Sequence, residues 1–299
     1  MKKLILFLIA LLALGVAAHA ELNIVATDFP CYDFARQVAG ENGAVTLLIK
    51  PGVEVHSYEP SPADILAISD ADLFVYIGGE GDAWADAILA GFDGEGPAAL
   101  RMMDAVSLLE EEGEEGHEHV HDGPEYDEHI WTSPKNAARM VEALRDSLCE
   151  IDPGDADAFF ENADAYIAEI NAVDAAFAEI VEASETREMV FADRFPFLYF
   201  VREYGLDYVA AFPSCTADTE PTPQTILTLI QEVVAHRIPA VYTIELSTRA
   251  VARTVAEETG AEILQFHSLQ TVTQDEFDAG ETYVSIMRKN VEALREGLR

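Results

Sequence analysis

A chain of 299 residues carries 55 acidic against 18 basic side chains, a net charge of −37, with 49% hydrophobic residues. That balance fits a globular protein, argues against nucleic acid and anionic lipid as partners, and makes a cation the natural ligand. The length exceeds what one hydrophobic core usually organises, so two domains are expected.

Residues 1–20 read as an export signal: Lys2 and Lys3, an apolar run from Leu4 to Val16, then Ala18-His19-Ala20 in an A-x-A cleavage pattern. The run is shorter than the roughly 20 residues a helix needs to span a bilayer. A soluble mature chain starting near Glu21, periplasmic or extracellular, is therefore expected. No cysteine stands at the cleavage junction, so no lipid anchor is expected either.

From there strand and helix alternate, with strands predicted at 22–26, 45–49 and 73–77 and helices at 32–38, 62–68 and 83–90, the order of a parallel sheet. Residues 21–150 are read as an N-terminal α/β lobe. Within it, residues 110–128 have dense negative charge and no apolar periodicity, which predicts a loop. A helix follows over 134–149, with Ser133 as N-cap and Pro134 at its first position.

Residues 151–185 form the linking segment. Phe159, Ala163, Tyr166, Ile170, Val173, Phe177 and Ile180 recur at steps of four and three, the seam of a single amphipathic helix over 155–184. At 1.5 Å per residue it would be about 45 Å long, a stiff strut between two lobes.

Residues 186–299 resume the alternation as a C-terminal α/β lobe. Strands are predicted at 189–192, 208–212, 240–244 and 262–266, and helices at 197–204, 223–236, 248–259 and from Glu281 onward. A local echo relates the lobes: Glu59-Pro-Ser-Pro62 and Glu220-Pro-Thr-Pro223 each set a hydroxyl N-cap and a helix-starting proline after a loop.

Cys31, Cys149 and Cys215 are odd in number and form no C-x-x-C pair, which argues against a zinc ribbon and a disulfide-dense scaffold. The chemistry lies in the histidines. His19 falls in the signal, and His236, beside Arg237 at a helix end, reads as structural or exposed. His117, His119 and His121 form a short tract in the acidic loop, an auxiliary collector of transition metal. His56, His129 and His267 each lie in a loop beside a strand and before a helix or turn, where ligands of parallel sheets bind. No G-x-S-x-G elbow or H-E-x-x-H helix supports the rival reading of an exported zinc hydrolase. A metal-storage or adhesive surface protein remains a further alternative.

Gly52-Val-Glu-Val-His56-Ser-Tyr-Glu-Pro-Ser-Pro62 resembles the metal-ligand motif of the zinc- and manganese-binding solute-binding proteins of ATP-binding-cassette importers. Asp127-Glu-His129-Ile-Trp-Thr-Ser-Pro134 resembles their second ligand motif, placed after a His-rich acidic loop as in the zinc branch. Tyr204-Gly-Leu206, Glu220-Pro-Thr-Pro223, Glu245 and the stretch 283–290 follow in the same order, so the likeness covers essentially the whole mature chain.

The resemblance implies two similar α/β lobes with parallel sheets joined by one long rigid helix, a metal site in the interlobe cleft, a membrane permease as partner, a monomer, and no enzymatic activity. His56 and His129 carry over as ligands. Arg194 stands where the family usually has its third ligand, and His267 aligns with the fourth. The expected site is therefore His56, His129 and His267, completed by Asp193, Glu245, Cys215 or water. Three imidazoles favour Zn2+ over Mn2+. Arg194 is expected to pair with a carboxylate such as Glu245, while Glu59 and Asp127 are candidates to hold a histidine ring N–H.

Overall fold

The computed structural model describes residues 21–111, 125–212 and 221–299. The signal at 1–20, the tract of His117, His119 and His121, and Cys215 lie outside the described residues.

Strands β1 (Leu22–Ala26), β2 (Gly43–Leu47), β3 (Leu73–Tyr76) and β4 (Ala98–Arg101) form a parallel sheet in the order β2-β1-β3-β4. Helices α1 (Phe29–Ala39), α2 (Pro62–Ser69) and α3 (Ala83–Gly91) connect them. All four residues of β3, Leu-Phe-Val-Tyr, are buried, as expected of a strand covered on both faces. Then come α4 (Pro134–Ile151) and α5 (Ala156–Ala183). Strands β5 (Glu188–Phe191), β6 (Asp207–Ala210), β7 (Ala240–Thr243) and β8 (Glu262–Gln265) pair in parallel as β6-β5-β7-β8, the order of the first sheet repeated. Their helices are α6 (Leu198–Tyr204), α7 (Pro223–His236), α8 (Ala250–Thr259), the short α9 (Gln274–Asp278) and α10 (Tyr283–Gly297).

Local chemistry sets the helix starts. Ser61 accepts from Asp64 N while the Asp64 carboxylate accepts from Ser61 N, and Pro62 stands at the first turn of α2. Ser133 caps α4 and Thr222 caps α7 in the same way, each followed by proline. The echo between the two Pro-x-Pro segments is therefore structural: in each, a hydroxyl N-cap and a proline at the first turn open a helix.

Helix α5 spans 28 residues, about 42 Å at 1.5 Å per residue. It packs against α1 and α4 on one side of the molecule and against α6 and α10 on the other. Its buried seam follows the expected residues as far as Phe177 and ends on Val181, with Ile180 only partly buried. Both lobes share one hydrophobic cluster that reaches from Leu22 to Leu298. Asp33, fully buried, accepts from Tyr283 N at 2.7 Å and from the Tyr166 hydroxyl at 2.5 Å, tying α1, α5 and α10 together.

Differences from the sequence reading are local. The second strand lies two residues earlier than expected, although Leu48 and Ile49 still donate to Ala26 O and Thr27 O. Strand β4 and helix α9 were not anticipated, since four half-exposed residues and a five-residue helix are too short to show a period. The acidic segment is closed at its base by an antiparallel bridge between Glu110 and Tyr126. Cys31 and Cys149 are free thiols, and burial pushes the Cys31 thiol well up.

Candidate metal centre

The loops that leave the C-terminal ends of both sheets meet between the lobes. His129 enters a short 3-10 turn, Ile130–Thr132, just before α4. Its backbone N–H donates to Asp127 Oδ1 at 2.8 Å, and its Nδ1 lies 3.2 Å from the same oxygen. Both residues are buried. A carboxylate on Nδ1 fixes the ring orientation and makes Nε2 the coordinating atom, the arrangement typical of metal-ligating histidines. The His56 ring stands edge-on to it, with centroids 5.8 Å apart.

Burial, and then the neighbouring His129, lower the His56 pKa to about 4, so its imidazole is neutral and able to ligate at ordinary pH. Behind it the cleft is lined by Asp28, Asp82 and Glu128. Burial raises Glu128 to about 7 and Asp82 to about 6; burial and then Asp82 raise Asp28 to about 7. A divalent cation in the cleft would favour their charged forms.

In the second lobe, His267 follows β8 and is 4% exposed. Its Nδ1 lies 3.4 Å from Glu245 Oε2 and accepts from Leu269 N at 2.9 Å, while its buried Nε2 makes no hydrogen bond and stands 3.8 Å from Glu276 Oε1. Burial lowers its pKa, but Glu245 and Glu276 outweigh burial and the net shift is upward; the Leu269 N–H at Nδ1 favours the neutral ring with its proton on Nε2. The nearby His267 ring, 3.8 Å away, leads the causes that hold Glu276 down at about 2. Asn290 fixes the His267 backbone from α10, accepting from its N–H and donating to its carbonyl, both at 2.8 Å.

The ring nitrogens of His56, His129 and His267 do not all fall within 4.8 Å of one another. The second-lobe side chain that meets His56 is Gln270, whose Nε2 lies 2.8 Å from His56 Nε2. Asp193 is occupied by the backbone, accepting from Arg194 N at 2.9 Å and Ile244 N at 3.4 Å, and burial raises its pKa.

Arg194 does pair with a carboxylate, but with Glu54 rather than Glu245: its Nη1 reaches Glu54 Oε2 across the cleft at 3.0 Å, because Glu245 is engaged by Ser268 N at 2.7 Å and by the Ser268 hydroxyl. Glu59 is exposed and caps neither histidine ring, whereas Asp127 Oδ1 lies 3.2 Å from His129 Nδ1.

Sequence reasoning missed Gln270, Glu54, Glu128 and Glu276. One signal was available, the glycine run Gly78-Gly79-Glu80-Gly81 directly after β3. Gly79 has φ 85°, and a Cβ there would lie 2.5 Å from Glu128 Oε1. Gly81 N–H donates to that oxygen at 2.7 Å. The run lets backbone approach Glu128 and His56 closely.

A family model described as zinc-uptake complex component A, periplasmic, matches residues 24–297. The zinc-binding lipoprotein AdcA of Streptococcus pneumoniae is 36% identical over 312 residues, covering 99% of this chain and 61% of the relative. This chain therefore spans about three-fifths of the length of such streptococcal relatives. The high-affinity zinc uptake system protein ZnuA of Bacillus subtilis is 31% identical over 283 residues, covering 93% of this chain and 88% of the relative. The crystal structure of the Zn(II)-bound ZnuA-like domain of Streptococcus pneumoniae AdcA matches with a TM-score of 0.79 at 33% identity, covering 93% of this chain and 99% of that one.

Proposed function

The chain belongs to the zinc-uptake complex component A family, and from that premise we propose that it captures Zn2+ outside the cytoplasmic membrane and delivers it to the permease of an ATP-binding-cassette importer. The observation that carries this reading is a pair of buried histidines, one from each lobe, each with a carboxylate close to Nδ1: His129 with Asp127 at 3.2 Å, as a hydrogen bond, and His267 with Glu245 at 3.4 Å, where Nδ1 itself accepts from Leu269 N. His56 joins His129 from the first lobe.

In this reading Zn2+ is cargo, held by Nε2 of His56, His129 and His267 with an acid in the fourth position. Glu276 is the best-placed acid. Its Oε2 caps α9 through Thr273 N and Oγ1, both at 2.8 Å, and its Oε1 faces His267 Nε2. Asp193 and Glu245 already serve backbone and hydroxyl donors, which makes them weaker candidates; Cys215 remains a further one. The borderline-soft nitrogen set favours Zn2+ over the oxygen-seeking Mn2+.

Capture begins when Gln270 leaves His56 Nε2, freeing its lone pair. The metal then draws His267 toward the first-lobe histidines, and ligation at Nε2 releases to solvent the proton that this nitrogen carries in the free form. Docking on the permease would separate the two ligand sets again, releasing the ion by favouring the open arrangement. The protein acts as a monomer. Among the described residues no helix is long and apolar enough to cross a membrane. Relatives named for zinc binding and zinc uptake favour a carrier over a hydrolase.

The test is a competition titration with Zn2+ and Mn2+ of wild type and of His56→Ala, His129→Ala and His267→Ala. Tight Zn2+ binding that weakens sharply in each variant is expected. Retention of full affinity by His267→Ala would remove the second-lobe histidine from the site.

A further inference from the structure

A different group of side chains lies at the N-terminal end of the central strand β5 of the second sheet. Glu188 opens β5, and Glu232 and His236 stand one helical turn apart at the C-terminal end of α7. His236 Nδ1 is 2.9 Å from Glu188 Oε2, and His236 Nε2 is 3.4 Å from Glu232 Oε2. Among the described residues, this is the one group of three such donors whose ligand atoms all lie within 4.8 Å of one another.

We propose that Glu188, Glu232 and His236 form a second binding site, for a divalent transition metal of the zinc class, separate from the interlobe cleft. Three arguments support it. First, the spacing suits an ion: one ligand atom from each of the three residues can be chosen with all of them within 4.8 Å of one another, and a tetrahedral centre with bonds of about 2.1 Å holds its ligand atoms about 3.4 Å apart. An imidazole with two carboxylates is a donor set that Zn2+, Co2+ and Ni2+ accept.

Second, the charge is uncompensated. Asp207 is the register partner of Glu188 on the adjacent strand, and its charge joins that of Glu232 in raising the Glu188 pKa on top of burial. Among the described residues neither glutamate pairs with a lysine or arginine, and His236 is the basic group that reaches both. A divalent ion would neutralise the cluster, and the negative end of the α7 dipole favours a cation at this place.

Third, the site is open to metal arriving from solvent, with the His236 side chain 54% exposed and that of Glu188 15% exposed. Strand β5 separates it from the cleft: Glu188 begins the strand and Asp193 lies beyond its other end. Four residues at about 3.3 Å each put at least ~13 Å between the two places. The alternative is that the cluster is no more than a pair of ion pairs at a helix end.

The ring-proton NMR signals of His236 distinguish the two during a Zn2+ titration of the mature chain. The expected result is that the His236 signals shift once Zn2+ exceeds the first equivalent. They should shift equally in a His129→Ala variant, and stay in place in Glu188→Gln/Glu232→Gln. Signals unmoved by a large excess of Zn2+, or moved equally in the double glutamine variant, would overturn the proposal. Because the readout is local to His236, failure of the cleft site would appear separately, as loss of the first, tight equivalent.

Discussion

Asp127→Ala removes a group that contacts no metal, so its effect isolates the orientation of His129. In the wild type one carboxylate oxygen accepts from both His129 N, at 2.8 Å, and Nδ1, at 3.2 Å, in a buried setting. Loss of such a partner typically lowers metal affinity ten- to a hundredfold, or about 1.4 to 2.7 kcal/mol. The alanine also strands the buried His129 N–H, at a cost of about 1–3 kcal/mol to the metal-free fold. Asp127→Asn keeps an oxygen acceptor and should lose less on both counts. Zn2+ competition against a chromogenic chelator reads the first effect and thermal unfolding of the metal-free chain reads the second. If the alanine variant binds within twofold of wild type while unfolding earlier, Asp127 is a structural cap and the orientation argument fails.

Removing the Gln270 amide from His56 should tighten Zn2+ binding, since a hydrogen bond worth about 0.5–1.5 kcal/mol no longer competes with the metal; weaker binding by Gln270→Ala would show that this side chain supports the loaded form instead. Proton competition should enter mainly through His267, whose pKa is raised, rather than through His56, held at about 4. Zn2+ affinity should therefore fall on acidification at a lower pH in His267→Gln than in wild type, and coincident midpoints would contradict this. Without metal the signs differ. His267 contributes stability that is fully present below an unfolded pKa of about 6.5 and is lost as pH rises through its folded value; His56 reduces stability as pH falls from about 6.5 toward its folded value. Urea unfolding of the wild type, His56→Gln and His267→Gln at acid and alkaline pH checks these slopes. Gly297→Ala should destabilise by about 1–3 kcal/mol through overpacking, because its Cβ would lie 1.8 Å from the buried Tyr242 hydroxyl oxygen; an unchanged melting temperature would contradict that packing.

Long-period signals and capping chemistry made most of the fold legible. The seam from Phe159 to Phe177 located α5 to within a residue at each end, and hydroxyl-proline pairs located the starts of α2, α4 and α7. Short elements carry too few residues to show a period, which is why β4 and α9 were hidden. At the site, the tie between Asp127 and His129 could be anticipated because it spans two residues. The Arg194 to Glu54 pair and the Gln270 to His56 contact join positions 140 and 214 residues apart, and such closures depend on how the lobes face each other. Nothing in the local sequence of either partner encodes them.

The segment bearing His129 belongs to the first lobe by chain order, yet three of its neighbours come from the other half of the sequence. Tyr199 donates its hydroxyl to Asp127 O at 2.9 Å, Tyr283 donates to Trp131 O at 2.8 Å, and Trp131 Nε1 donates to Ser268 O at 2.8 Å. All three bonds engage main-chain carbonyls, so substituting the side chains that supply those carbonyls would leave the acceptors in place. The position of His129 is in effect written in residues 199–283, and grafting 21–150 onto another scaffold would carry the histidines across but leave their spacing behind.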